Sequence, residues 1–134
     1  MSDMDAPMRP LSPDWWERFR AAWNAREEAR RRLAGAGTLL FRVEGDPERR
    51  VLAHLDEQGW MTISPVRDPV RPDTPTFTAA EEGWLRFMCG EVGAVQAVMS
   101  GTLRYEGPVT FVMRNRTSFD AFAEVAAGMR EPAR

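Results

Sequence analysis

The chain has 134 residues, 43% of them hydrophobic and 28% charged, with a formal net charge of −2. This length predicts one domain, large enough to bury a core without disulfide or metal staples. The balanced charge excludes a basic field for a nucleic-acid backbone, and the absence of lysine excludes Schiff-base, lysine-nucleophile and P-loop chemistry. One cysteine, Cys89, and one histidine, His54, make neither an internal disulfide nor a zinc site of the common types, so no cofactor or metal is expected. No apolar run reaches bilayer-spanning length, and Met1 to Pro10 lacks the apolar core of a signal peptide. A cytoplasmic location is expected. Residues 1–11 are expected to form a flexible tail and residues 12–130 the single domain.

In chain order, Ser12-Pro13-Asp14 signals a helix start: a capping hydroxyl, a proline at the first helical position and an acid at the positive helix end. Leu11 and Trp16 have staple spacing across that cap. One helix is expected to run to about Ala34, with Trp16, Phe19 and Trp23 on its apolar face. Trp15 and Trp16 are adjacent, so one of them is expected to stay outside the core and mark a partner or membrane contact. Arg30, Arg31 and Arg32 lie near the negative helix end, as a solvated face or a contact for anionic headgroups.

Period-two segments follow at Thr38 to Glu44, Val51 to Asp56 and Trp60 to Val66, joined by short turns, which predicts an antiparallel meander. The proline-rich stretch holding Pro65, Pro69, Pro72 and Pro75 reads as an irregular connection. Thr76 to Thr78 is a short strand. Thr78 to Glu81 has capping-box spacing, with Glu81 as the cap carboxylate. Trp84, Leu85, Met88 and Val92 are helically periodic, Gly90 and Gly93 interrupt them, and a short helix is expected over Ala94 to Ser100. Thr102 to Glu106 alternates, Gly107-Pro108 breaks the pattern, and Val109, Phe111 and Met113 resume it as strand. A last helix is expected from about Ser118 to Gly128, capped by Thr117 or Ser118. Grouped strands flanked by helices give an α+β layer: a mostly antiparallel five-stranded sheet with helices on one face.

The stretch Trp84 to Met113, WLRFMCGEVGAVQAVMSGTLRYEGPVTFVM, resembles the signature region of the sterol-carrier-protein-2 domain family. The resemblance rests on an apolar helix, Gly90, a short helix, and then Ser100-Gly101, Leu103, Tyr105 and Gly107 ahead of Phe111 and Met113. It covers about residues 13 to 129. Thr102 stands where the family usually has lysine. The resemblance implies a sheet covered by helices with an apolar tunnel between them. It also implies non-catalytic binding or transfer of a sterol, fatty acyl or isoprenoid type of molecule. A protein-interaction or biosynthetic accessory module with a filled or small cavity is the alternative.

On that reading Phe41, Trp84, Phe87, Met88, Val95, Val98, Met99, Phe111, Met113, Phe122, Val125 and Met129 line the tunnel, and Gln96 orients a polar head at its mouth. The same faces would equally fill a solid core, and periodicity does not separate the two. Methionine favours a pocket that accepts flexible chains. An apolar small molecule is the expected partner, with transient membrane or enzyme contact beside it. Cys89 and His54 are read as a buried inert thiol and a surface imidazole rather than a nucleophile pair. An enzymatic role would need Tyr105, His54 or a carboxylate inside the pocket.

Overall fold

The structure is a computed structural model and describes residues 9, 11–66, 70–116 and 118–130. The first helix, α1 (Pro13–Asn24), begins where the sequence predicts, with the Ser12 hydroxyl accepting from Trp15 N at 3.2 Å. Leu11, assigned by sequence to the tail, is 2% exposed and belongs to the core; residues 1–8 and 10 lie outside the described residues. The long helix is broken: α1 closes at Ala25 and α2 (Glu27–Arg32) starts from an extended Arg26. The apolar stripe stops at Trp23, and the charged half turns away to leave only Ala29 buried within α2.

Three antiparallel strands follow, β1 (Gly37–Val43), β2 (Asp46–Leu55) and β3 (Met61–Pro65). The turn between β1 and β2 is tight, because a register shift between Arg42 and Val43 lets pairing continue to Val43 and Asp46. The strand β4 (Thr76–Ala79) lies parallel to β1, and β5 (Arg104–Glu106) pairs antiparallel with β4. The five-stranded order is β3-β2-β1-β4-β5.

Between β4 and β5 come α3 (Glu81–Met88) and α4 (Ala94–Ser100), the latter ended by Gly101 in the left-handed region at φ 84°. Val109 to Met113, read as strand from its alternation, is helical: α5 spans Val109–Asn115. Gly107 follows β5 at φ 145°, a position only glycine fits, because a Cβ there would lie 2.8 Å from the Tyr105 hydroxyl and 3.0 Å from Pro75 Cα. Pro108, with φ −65°, then opens a helix from its N-cap. The last helix, α6 (Asp120–Arg130), follows; Ser118 O accepts from Ala121 N, and Thr117 lies outside the described residues. Pro69 lies outside them too.

Registry sorts the sheet into two faces. Leu39, Phe41, Val43, Val51, Ala53, Leu55, Met61 and Phe77 point to the helices and are buried. The opposite face carries Thr38, Arg42 and His54, with Thr38 Oγ1 2.9 Å from His54 Nδ1 and Arg42 donating to Thr78 Oγ1 at 3.1 Å. The helices therefore cover one face, as an α+β layer requires. Both Trp15 and Trp16 are buried, against the expectation that one would stay outside. Trp15 stacks on Phe19 at 4.9 Å and meets Trp16 edge-on at 5.0 Å, so the two adjacent indoles share one aromatic layer.

Candidate functional site

The space between helices and sheet is divided. Its centre is filled by rings: Phe41 lies 5.5 Å from Phe77 and 5.2 Å from Trp16, and Phe119 lies 4.5 Å from Phe77 and 4.7 Å from Phe122. Beside Phe41, Trp84, Phe87, Met88 and Phe122 only about 10 Å³ stays empty, a void of one water's size. These five residues of the expected tunnel lining are core side chains. Val125 is buried on the far side of α6, against a polar cleft shared with Arg26, Glu28 and Arg32. Met129 packs partly buried against the core.

A real cavity opens at the other end of the layer. It holds about 260 Å³ between β4, α4, α5 and the start of α6. Val95, Val98 and Met99 of α4 face Phe111 and Met113 of α5, and Phe77 and Phe119 close the floor. The structure thus brings together five of the residues singled out from sequence. Gln96 is exposed on α4 and is not among the lining residues. Among the described residues the open apolar volume is a pocket beside an aromatic core rather than a tunnel through it.

Several lining residues escaped the sequence reading. Ala94 lines the cavity from the start of α4, and Val112, Asn115 and Arg116 reach it because residues 109–115 coil into α5, which a strand would not allow. Asn115 is oriented from within its own helix, its Nδ2 donating to Phe111 O at 3.0 Å. Asp120 Oδ1 accepts from Ala94 N at 2.8 Å and so ties the start of α4 to α6 at the cavity's edge.

The titratable groups lie elsewhere. Tyr105 is pushed up to about 12 by burial, and its hydroxyl donates to Pro108 O at 2.7 Å. It is a protonated donor at neutral pH, unsuited to acid–base work. His54 sits on the exposed sheet face, and Cys89 is exposed at the end of α3 rather than buried, its Sγ 3.4 Å from Arg86 O. The two lie on opposite sides of the sheet and form no pair.

Glu81 is not a cap. It accepts from Arg49 at 2.8 Å while Asp46 accepts from the other edge of the same guanidinium at 2.8 Å, and the α3 N-cap is Ala80. A second cavity of about 270 Å³ lies over Glu44, Thr78, Glu82, Arg86 and Arg104, with a mixed polar and apolar lining. Among the described residues no three His, Cys, Asp or Glu side chains are placed to hold a metal ion, and no helix is long and apolar enough to cross a membrane.

This arrangement of sheet and helices is known in other proteins. A crystal structure of sterol carrier protein 2 superposes with a TM-score of 0.73, covering 88% of this chain and 97% of that one at 18% identity. The chain has the sterol carrier protein 2 fold. The solution structure of a conserved hypothetical protein from Thermus thermophilus, described as possibly a sterol carrier protein, shares the fold with a TM-score of 0.74 and 17% identity, over 97% of this chain and 96% of its own. A structure described as the ubiquinone synthesis protein UbiJ-SCP2 matches 96% of this chain and 100% of its own with a TM-score of 0.59 and 20% identity. No protein-family model and no curated protein matches the sequence. Within the sterol-carrier fold, the apolar cavity of this chain lies under α4 and α5.

Proposed function

We propose that this protein binds an apolar small molecule of lipid type, without chemistry, in the cavity under α4 and α5. The observation that carries the reading is a cavity of about 260 Å³ walled by Val95, Val98, Met99, Phe111, Met113 and Phe119. No carboxylate, histidine or cysteine lines it, which supports a carrier over an enzyme. Its volume sits just under the usual range for small-molecule pockets. α5 has no fully buried residue and is anchored to the core through Phe111, which lies 6.1 Å from Phe77 and 6.2 Å from Tyr105. A guest chain would be held by area: each methylene contributes about 0.8 kcal/mol, so about ten supply roughly 8 kcal/mol before association costs. The fold shared with sterol carrier protein 2 supports the ligand class. The single cysteine fits a reducing compartment, and a cytoplasmic location goes with this proposal.

The test is binding of a fluorescent fatty acid probe, with native mass spectrometry of the purified protein for resident lipid. Micromolar probe binding that Val98→Trp abolishes by filling the cavity is the expected result. No probe binding and no resident lipid would overturn it.

A second reading is a biosynthetic accessory that presents an apolar metabolite to an enzyme. It is favoured by the full-length match to a ubiquinone synthesis protein and by the solid aromatic centre. Binding of a short isoprenoid probe tighter than a fatty acid probe, together with a co-purifying enzyme, would select it.

A further inference from the structure

The two helices over the cavity mouth present apolar side chains outward as well as inward. On α4, Val95 and Met99 are 42% and 82% exposed; on α5, Val109 and Met113 are 71% and 67% exposed. Each pair is spaced i, i+4 and so shares one helix face. A lone exposed valine is ordinary, but two such pairs flanking one opening form a patch.

The two helices of the patch carry charge of one sign, and the carboxylate at the cavity's edge, Asp120, is engaged by Ala94 N. α4 carries no charged residue, and residues 107–116 contain Arg114 and Arg116 with no carboxylate, in a chain whose net charge is −2. Both arginines are exposed, neither makes an ion pair with a described residue, and Arg116 stands at the cavity mouth. The three consecutive arginines of α2 are committed instead. Arg31 holds Glu27 at 2.7 Å, Arg32 holds Glu124 at 2.8 Å, and Arg30 lies 3.8 Å over the Trp60 ring. Trp15 and Trp16 are buried, and Trp60, 44% exposed, lies under Arg30.

We propose that the α4–α5 face docks on the surface of an anionic lipid bilayer. Val95, Met99, Val109 and Met113 enter the interfacial layer, and Arg114 and Arg116 meet headgroup phosphates. The cavity mouth then faces the membrane, so a guest passes between bilayer and protein without crossing water. The use of the cavity rests on the function proposed above; the docking itself does not require a guest.

The test is co-sedimentation of the full chain with phosphatidylcholine vesicles and with vesicles containing phosphatidylglycerol, at low and high salt. Val109 and Arg114 lie outside the cavity lining, so the double variant Val109→Ser, Arg114→Gln separates docking from guest binding. The expected result is partitioning to the anionic vesicles alone, weakened by salt and reduced about tenfold or more in the double variant, since one surface cation alone accounts for roughly fivefold. Arg31→Gln should leave partitioning unchanged, and the double variant should still bind the fatty acid probe in vesicle-free buffer. Equal or absent partitioning to the two vesicle types would overturn the proposal. So would loss on Arg31→Gln, or a Val109-dependent dimer in light scattering, which would mean a second copy covers the face. Absence of probe binding alongside normal partitioning would sink the carrier reading and leave the docking standing.

Discussion

Arg49, 7% exposed, sits between Asp46 and Glu81 and joins β2 to α3. Burial alone would lower its pKa; the two carboxylates outweigh that and raise it, so the cation persists at all working pH. Its hydrogen bond to Asp46 is the main reason that carboxyl titrates below its ordinary value of 3.8. A depressed carboxylate stabilises the fold above its unfolded pKa and loses that contribution as pH falls through the folded one. Asp46→Asn should therefore be less stable than the native chain at about pH 6, with the gap in Tm narrowing towards about pH 3 as the native carboxylate is protonated. A gap that stays constant over this range would show that Asp46 does not act through its charge. Tyr105 works in the opposite sense. Its neutral form is favoured in the fold, so phenolate absorbance of this single tyrosine should rise only near pH 12, and near the ordinary 10.0 once the chain is unfolded.

At the scale of elements, α1 is clamped to the β2–β3 turn. Trp23 Nε1 donates to Gly59 O at 2.8 Å, and Asn24 exchanges hydrogen bonds with both backbone groups of Met61 at 3.0 and 2.8 Å. Gly59 has φ 84°, and a Cβ there would fall 2.0 Å from Arg30 O. Gly59→Ala should cost at least about 1–3 kcal/mol from backbone strain, plus the displacement of α2. Urea unfolding measures it, and a change within about 0.5 kcal/mol would count against the close approach. The break between α1 and α2 serves this clamp, because a continuous helix would carry Arg30 away from the turn. At the other end, the helicity of α5 sets the cavity wall.

On the scale of the whole molecule, the layer between helices and sheet does two jobs in two places. Stacked rings around Phe41 hold the fold, and the looser α4–α5 end leaves room. Phe41→Ala should cost about 3–5 kcal/mol in chemical unfolding, while the protein that remains folded keeps its fatty acid affinity within about threefold. Loss of probe binding in proportion to the size of the Phe41 replacement, with stability intact, would move the guest to the centre.

The sequence by itself determined the meander, the α+β class and the resemblance to the sterol-carrier domain, because period-two strands, glycine stops and capping residues are local signals. Those signals also placed Phe41, Phe87 and Val98 on inward faces. Which inward residues meet a void and which meet each other is a matter of three-dimensional packing. Phe41, from strand alternation, and Val98, from its place in a short helix, both read as inward-facing, yet one is enclosed by aromatic neighbours and the other borders open space. The helicity of residues 109–115, the commitment of Glu81 to Arg49 and the burial of both Trp15 and Trp16 depend on partners distant in the chain. Only the tertiary structure decided them.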